Sequence, residues 1–537
     1  MRSRRASVLS AALAVALISS VGGRATAGVA RHGPIVTFDF ASHAPHGVGG
    51  SVRTGYLPIH PDSLTRAKER ASDEVAGASP LAPHPTAAAG LGWSGQSDPS
   101  VTPPDSTGAI GPTRYVQLVN LRFGIYDRSG SSLSQGTLGD FTGIDNTCLS
   151  DPQVIWDVEG QRFYYLAVDV CADRYAFGFS KASSPSVAGA TDWCRYVAFD
   201  YGSSLPDYPK LGDSSDYILI GANIFALGIF YEGSDVSWIA KSPLVVGAGG
   251  TCPDPGTFKG GVFSGLKNAD GSDASTPVPA NGIDPATTGY VVAGPDAASS
   301  PGGIADYLTL FGVTAGSGGD ASISGPVTVS LASTAGSYAV PASAPERKAR
   351  KTLDTMDARL TQAVAAVDPS NGGGTFVWTQ HTVFGGAGAE VRYYEINATT
   401  GAVARWGRVS SSKLFVFNAA VSPDRAVPSR GGGSFGESMA ITFNTSSSTS
   451  FPAIQMASRI AGSNLSPWTL VQQSPGKNVD FSCKPVCRWG DYAGASPDPA
   501  ADPAAAHGVV WLTDQWNVAS VTTSDVDWRT SVWSATP

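Results

Sequence analysis

RWGDYAGASPD, residues 488–498, has an echo in VFNAAVSPD, residues 416–424. Both run through small residues into Ser-Pro-Asp, and both lead through a loop into a hydrophobic run. Aligned on that phrase, the chain repeats one unit: a short stretch of small or polar residues, a turn, then a strand of aromatic and branched residues. Its copies are GDYAGASPDPAADPAAAHGVVWLTDQ (490–515), FNAAVSPDRAVPSRGGGSFGESMAITFN (417–444), DARLTQAVAAVDPSNGGGTFVWTQH (357–381), STPVPANGIDPATTGYVVAG (275–294), DYPKLGDSSDYILIGAN (207–223), DPQVIWDVEGQRFYYLAV (151–168) and PPDSTGAIGPTRYVQLVN (103–120). A hairpin repeated around an axis explains the pattern. Small residues suit an innermost strand, where neighbouring blades crowd, and the aromatic second strand packs between sheets.

The spacing leaves room for further strands in each unit. FGIYDRSG (123–130), EVRYYEINATTGAVARWGRV (390–409) and AIQMASRIAG (453–462) read as those outer strands, with NATTG as a hairpin turn. The expectation is an all-β chain forming a seven-bladed β-propeller over residues 93–537. A stack of β-sandwich domains is the rival; such domains do not repeat at this unit length. WRTSVWSA (528–535) is expected to close the ring against the segment around 93–100.

Ahead of the propeller, MRSRRASVLSAALAVALISSVGGRATAG places arginines before a short apolar run and an Ala-Thr-Ala cleavage pattern. Residues 1–27 read as a signal peptide, too short in their apolar run to span a bilayer. Arg4-Arg5 fits twin-arginine export weakly. The protein is expected to be secreted, extracellular or on the cell surface, with the periplasm as alternative. Residues 28–92 read as an irregular, partly disordered extension with a helix over about 63–75; a second short helix is expected over about 344–359. His32, His43, His46, His60 and His84 fall in the extension with no metal-ligand spacing, and read as scattered surface histidines.

Six cysteines, Cys148, Cys171, Cys194, Cys252, Cys483 and Cys487, fit an oxidising compartment. Six allow fifteen pairings, so sequence alone leaves the connectivity open; pairing in sequence order, with the last two closing CKPVC, is the expectation taken forward. No metal and no cofactor are expected. With 15% charged residues, a net charge of −8 and no basic run with interleaved aromatics, nucleic acid is not an expected partner. A monomer without a transmembrane segment is expected.

PPDSTGAIGPTRYVQLVN, DPQVIWD, DYPKLG, LDTMDARL, HTV followed by VRYYEI, and RWGDYAG together resemble a group of secreted bacterial β-propeller proteins grouped loosely with sialidases. The resemblance covers roughly residues 95–537 and implies the propeller fold; the group implies no settled reaction. Sialidases carry Asp boxes of the form S-x-D-x-G-x-x-W. Ser422-Pro423-Asp424 and Ser496-Pro497-Asp498 begin that pattern and do not complete it.

After residue 100 only His381 and His507 remain, which excludes a histidine-rich metal site from the repeats. Gly432-Gly433-Ser434-Phe435-Gly436 matches G-x-S-x-G, but a strand rather than a helix follows it, so it reads as a hairpin turn. Carboxylates are the better candidates. Asp105, Asp151, Asp207, Asp357 and Asp491 recur near the starts of the units, which should face the central channel at one end. Asp105, Asp151, Asp207 and Asp491 are the candidate catalytic residues, able to supply a general acid and a general base. Lys210, Arg359, Tyr208, Trp489, Tyr492 and His381 are the substrate-binding candidates, with Arg488 in the same phase. The same aspartates have a plain structural alternative: capping turns and tying blades through backbone N–H groups. The expected activity is on extracellular polysaccharide or glycan, by glycoside hydrolysis or polysaccharide lysis at the channel mouth. The rival is a non-catalytic surface binding or adhesion module.

Overall fold

The structure, a computed structural model, describes residues 39–40, 56–75, 90–429, 432–519 and 526–537. The expected signal peptide and His32, His43, His46 and His84 lie outside the described residues. The described chain is all-β apart from short helical turns and one helix of thirteen residues, α1 (Pro61–Asp73). No described helix is long and apolar enough to cross a membrane.

Among the described residues, seven sheets of four or five strands follow one another along the chain. Most are simple meanders. The first runs Thr107–Ile110, Arg114–Val119, Arg122–Asp127 and Ser132–Thr137, each strand antiparallel to the last. The first strand of each sheet touches the first strands of its neighbours, and the ring closes where Gly494–Pro497 meets Thr107–Ile110. This architecture is that expected of a β-propeller. In the last sheet, Trp528–Ala535 pairs with Gly92–Ser94, joining the end of the chain to the start of the ring. Asp39–Phe40 adds a short strand to the outer edge of the second sheet.

Small residues in the first strands let the sheets approach, and aromatic second and third strands fill the gaps between them. Phe163, Tyr165, Trp156 and Trp193 of the second sheet pack on Val116, Phe123 and Ile125 of the first. Tyr164, Phe177 and Phe179 on its other face meet Ile218 and Ile220 of the third. Each such side chain, fully buried, contributes about 1.5–3 kcal/mol of transfer free energy.

The first strands share a second feature. Near the head of each of six sits a non-glycine residue in the left-handed region: Asp105, Asp151, Tyr208, Thr276, Ala358 and Asn418, at φ +47° to +73°. In four of the sheets the pairing register shifts there, as at a β-bulge, and in the sheet of Ala358 it shifts just beyond, between Leu360 and Gln362. Side chains of neighbouring sheets hold this turn. Asn120 at the end of the first sheet's second strand accepts from the Asp151 N–H at 2.9 Å. Asn223 does the same for Thr276 at 2.8 Å, and its amide donates to the Thr276 hydroxyl.

The Ser-Pro-Asp phrase marks the opposite end of the first strand. Asp424 accepts from the N–H groups of Gly436 and Gly508, at 2.9 and 3.0 Å. A Cβ on Gly508 would lie 1.9 Å from the Asp424 carbonyl oxygen, so only glycine fits that approach. Asp498 pairs with Arg128 of the first sheet, an ion pair across the ring closure. Asp157, Asp213 and Asp368 end other first strands in the same way, and Asp284 follows the short strand Asn281–Gly282, which pairs with the next sheet. Lys241 bridges Asp157 and Asp213, Arg425 holds Asp284, and Arg405 holds Asp368.

All six cysteines are paired, as Cys148–Cys171, Cys194–Cys252 and Cys483–Cys487. Three disulfides are consistent with an extracellular or other oxidising compartment. The helix expected over about 344–359 is absent. That stretch forms the short strands Ala344–Pro345 and Thr352–Leu353, which pair with each other and with Val486–Cys487. The crowded cations Arg347, Lys348, Arg350 and Lys351 have no apolar stripe to anchor a helix, and the backbone on either side of them is taken up by strand pairing instead.

The asparagine ties yield a prediction. Asn223→Ala leaves the buried Thr276 N–H without an acceptor and should cost about 1–3 kcal/mol. Chemical denaturation of the oxidised protein measures it; an unchanged midpoint would remove the asparagine ties from the account of how sheets are joined.

Candidate functional site

The heads of the first strands converge at one end of the ring. Asp491 donates its N–H to Asp105 Oδ1 at 2.8 Å, and Asp105 Oδ2 accepts from the Asn120 amide at 2.8 Å. Asn120 in turn fixes Asp151, whose carboxyl accepts from Ser150 Oγ. Tyr208 donates to the Asp491 carbonyl at 2.9 Å, and Tyr492 to the Pro152 carbonyl at 3.3 Å. Between those two rings lies the Lys210 ammonium, 3.6 Å from each centroid. Arg359 forms a forked pair with Asp357 at 2.7 and 2.8 Å. Arg488 joins Asp491 and Asp354.

The mouth is closed. Tyr56 and Leu57, from the segment ahead of α1, lie across it. The Tyr56 N–H donates to Asp491 Oδ2 and the Leu57 N–H to Asp207 Oδ2, each at 2.7 Å. The Leu57 carbonyl accepts from Arg359 Nη2 at 3.0 Å. The Tyr56 ring sits under the guanidinium carbons of Arg359 and Arg488, 4.2 and 4.8 Å from its centroid. It meets Tyr208 edge-on, and packs with Tyr492 and Met356. Asp151, Asp207 and Leu57, with Ser150, Val168, Val170 and Leu205, line a cavity of about 20 Å³, room for about one water. Along the axis a second space of about 30 Å³ is crossed by Gln362, whose amide meets the Ala495 backbone.

Enclosure sets the electrostatics. Burial raises the Asp207 carboxyl above the usual carboxylate range, and the nearby Asp151 raises it further. Asp105 is raised by burial and then by Asp491 and Asp151. Burial opposes the charge on Asp357 too, but the Arg359 pair outweighs it and holds that carboxyl low. Burial lowers Lys210 to about 7, against the pull of Asp151, Asp105 and Asp491.

Of the residues singled out in the sequence, Asp105, Asp151, Asp207, Asp491, Lys210, Arg359, Tyr208 and Tyr492 meet in this cluster. Trp489 does not present a stacking face: its indole donates to Asn444 Oδ1 at 2.6 Å and its ring packs on Phe417. His381 is buried behind Ala358. Its ring nitrogens meet the Ala358 carbonyl and the Tyr394 hydroxyl, and burial lowers it to about 3. Ser434 lies in a bridge with Ala426 ahead of a strand, with no helix behind it. Among the described residues, the one group with metal-ligand proximity is Cys148, Asp169 and Cys171, whose thiols are spent in a disulfide.

Tyr56, Leu57 and Asn120 escaped the sequence reading. Asn120 was legible: the units quoted above end VQLVN, ILIGAN and AITFN, and each asparagine is buried at a sheet junction. Tyr56 and Leu57 lie in YLPIHP, an apolar stretch of an extension otherwise read as irregular; nothing local says where it docks.

No family model and no curated protein matches the chain. Among solved structures, an exo-β-1,3-galactanase from Clostridium thermocellum is similar at 10% identity, over 68% of this chain and 87% of that one, with a TM-score of 0.31. An exo-β-1,3-galactanase from Phanerochaete chrysosporium, with galactose, is similar at 11% identity, over 81% and 93%, with a TM-score of 0.29. The Dos1 propeller is similar at 10% identity, over 83% and 95%, with a TM-score of 0.34. Likenesses this distant leave the chemistry to the site itself.

The raised Asp207 gives a pH signature. The folded state holds this proton more tightly than the unfolded chain does. The stabilisation is complete at acid pH, below the unfolded carboxyl's range, and is lost as pH rises through the raised folded value. Asp207→Asn keeps an acceptor for Leu57 and removes the titration. Its stability relative to the parent should therefore rise steadily from acid to alkaline pH in thermal melts. A difference that does not move with pH contradicts the assignment.

Proposed function

We propose that the chain is a seven-bladed β-propeller that hydrolyses glycosidic bonds at its channel mouth, with Asp207 as the general acid and Asp151 as the second carboxyl. One observation carries the reading: these two carboxyls line the same water-sized space. Glycoside hydrolysis needs a carboxyl that keeps its proton at neutral pH beside another that serves as base or nucleophile. Burial and Asp151 supply the first condition at Asp207. Arg359 acts on Asp207 and Lys210 on Asp151, while Asp105 and Arg488 hold Asp491 beside them. The ring of contacts among seven first strands supports the blade number.

A second reading, a non-catalytic binding module, is favoured by a different observation. Asp105 spends its carboxyl on a backbone N–H and the Asn120 amide, and Asp491 on a backbone N–H and Arg488, which are structural roles. A polysaccharide panel read by release of reducing ends separates the two. Under the hydrolytic reading Asp207→Asn and Asp151→Asn lower turnover by roughly 10²–10⁴-fold at a temperature and pH where the variants remain fully folded. Saturable glycan binding without product, in the parent and in Tyr56→Ala, would replace the enzyme with the binding module.

A further inference from the structure

We propose that Tyr56–Val75 is a docked peptide ligand of the channel mouth: it leaves as a unit while the sheets stay folded, and a hydroxyl-rich sugar ring takes its place. The second half of this inference rests on the mouth being the glycan site; the first half stands without it.

The contacts are those of a receptor with an extended peptide. Three main-chain groups of two successive residues, the Tyr56 N–H, the Leu57 N–H and the Leu57 carbonyl, are each met by a charged side chain. Those side chains, Asp491, Asp207 and Arg359, come from three different repeats around the ring, so the docked dipeptide is read by the ring rather than by one neighbouring loop. The aromatic ring of Tyr56 fills a slot roofed by Arg359 and Arg488 and floored by Tyr208.

The hold on the rest of the segment is thin. Tyr56–Val75 adds no strand to any sheet. Within α1 only Ala67 and Ala71 are buried, small side chains that remove little apolar surface from water. The remaining attachments are scattered: Lys68 reaches Thr355 at 2.8 Å and pairs with Asp354, His60 meets Asp296 at 2.7 Å, Ile59 is buried, and Leu64 and Val75 rest on the edges of neighbouring clusters. Neighbouring sheets, by contrast, are joined by clusters of buried aromatic and branched residues. Polar contacts exchange with water at small net cost, whereas those cores do not, so the segment parts from the ring before the ring opens.

What the segment covers fits its replacement. Leu57 roofs the space that Asp151 and Asp207 line. With the segment gone, Asp207 and Asp491 each lose one donor, which a sugar hydroxyl supplies. The slot vacated by Tyr56 accepts a flat ring whose C–H face takes the place of the aromatic one. Arg359 and Arg488 remain neutralised by Asp357, Asp354 and Asp491, so the replacement is a neutral glycan rather than an acidic one.

The test uses the full chain with a site-specific protease sequence inserted in the stretch 76–89. After cleavage the N-terminal piece is separated from the ring, a fluorescent synthetic peptide of residues 56–75 is added and its anisotropy followed, with circular dichroism as the check on the sheets. Saturable uptake with an unchanged β spectrum is expected. A Tyr56→Ala peptide should bind at least about tenfold more weakly, the weight of its lost cation–π and ring contacts. Neutral oligosaccharide should compete the peptide off. Absence of uptake in the folded, cleaved protein, or uptake indifferent to Tyr56, overturns the docked ligand. Uptake that no glycan competes with leaves the ligand standing and overturns both the sugar's succession and the glycan reading of the mouth.

Discussion

Carboxyl groups crowded where water has little room must find their hydrogen-bond donors in the protein, and the rest of this structure is arranged around that requirement. A buried, unpartnered carboxylate costs several kcal/mol. At the head of the first strands the donors come from neighbours: Asp105 takes the Asp491 N–H and the Asn120 amide, and Asn120 then clamps Asp151. The bonds from Asp491 to Asp105 and from Asp151 to Asn120 cross junctions between sheets, so satisfying the carboxyls also fixes how the sheets sit together. The left-handed residues serve the same end. At Asp105 and Asp151 the backbone twists out of the regular pleat and carries the side chain toward the axis. Aspartate tolerates that conformation better than most residues.

The two ends of the ring solve the problem differently. At the far end, Asp157, Asp213, Asp284, Asp368 and Asp498 meet lysine or arginine, and Asp424 takes backbone N–H groups. Those aspartates are structural ties and need nothing further. At the mouth the ring alone does not supply every donor. Asp207 and Asp491 each receive one from Tyr56–Leu57. An arrangement that relies on a separate segment to complete it is one that a different donor can complete.

The sequence made the strand order, the ring closure through Trp528–Ala535 and the gathering of Asp105, Asp151, Asp207 and Asp491 readable because each follows from phase. Residues at one position of a repeated hairpin occupy one position around an axis, whatever their partners. Orientation within the phase is another matter. Trp489 and His381 share the phase of the cluster, yet their rings turn into the core, where Asn444 and Tyr394 hold their nitrogens. Those partners sit far along the chain or on the next strand, and no local pattern announces them. Tyr56–Leu57 escaped for the same reason more strongly. A segment outside the repeat has no phase, so nothing in it points to the mouth. The misread helix over 344–359 shows the limit from the other side: a charged, alanine-containing stretch resembles a helix until the pairing with Val486–Cys487 decides otherwise.

Charge at the mouth follows from the same accounting. Asp105, Asp151, Asp207, Asp354, Asp357 and Asp491 lie close together, against Lys68, Lys210, Arg359 and Arg488. Carboxyls outnumber cations, and the enclosed site does not tolerate the surplus as charge. Protons are retained instead, at Asp105 and Asp207, where burial and neighbouring carboxyls act together. The cations are not free to offset this, since Arg359 is spent on Asp357 and Arg488 on Asp354 and Asp491. Lys68 belongs to α1, beside Asp354. When that segment departs it takes Lys68 from beside Asp354, and the local surplus of carboxyls over cations at the mouth grows. A mouth with more carboxyls than cations favours hydroxyl donors over anions.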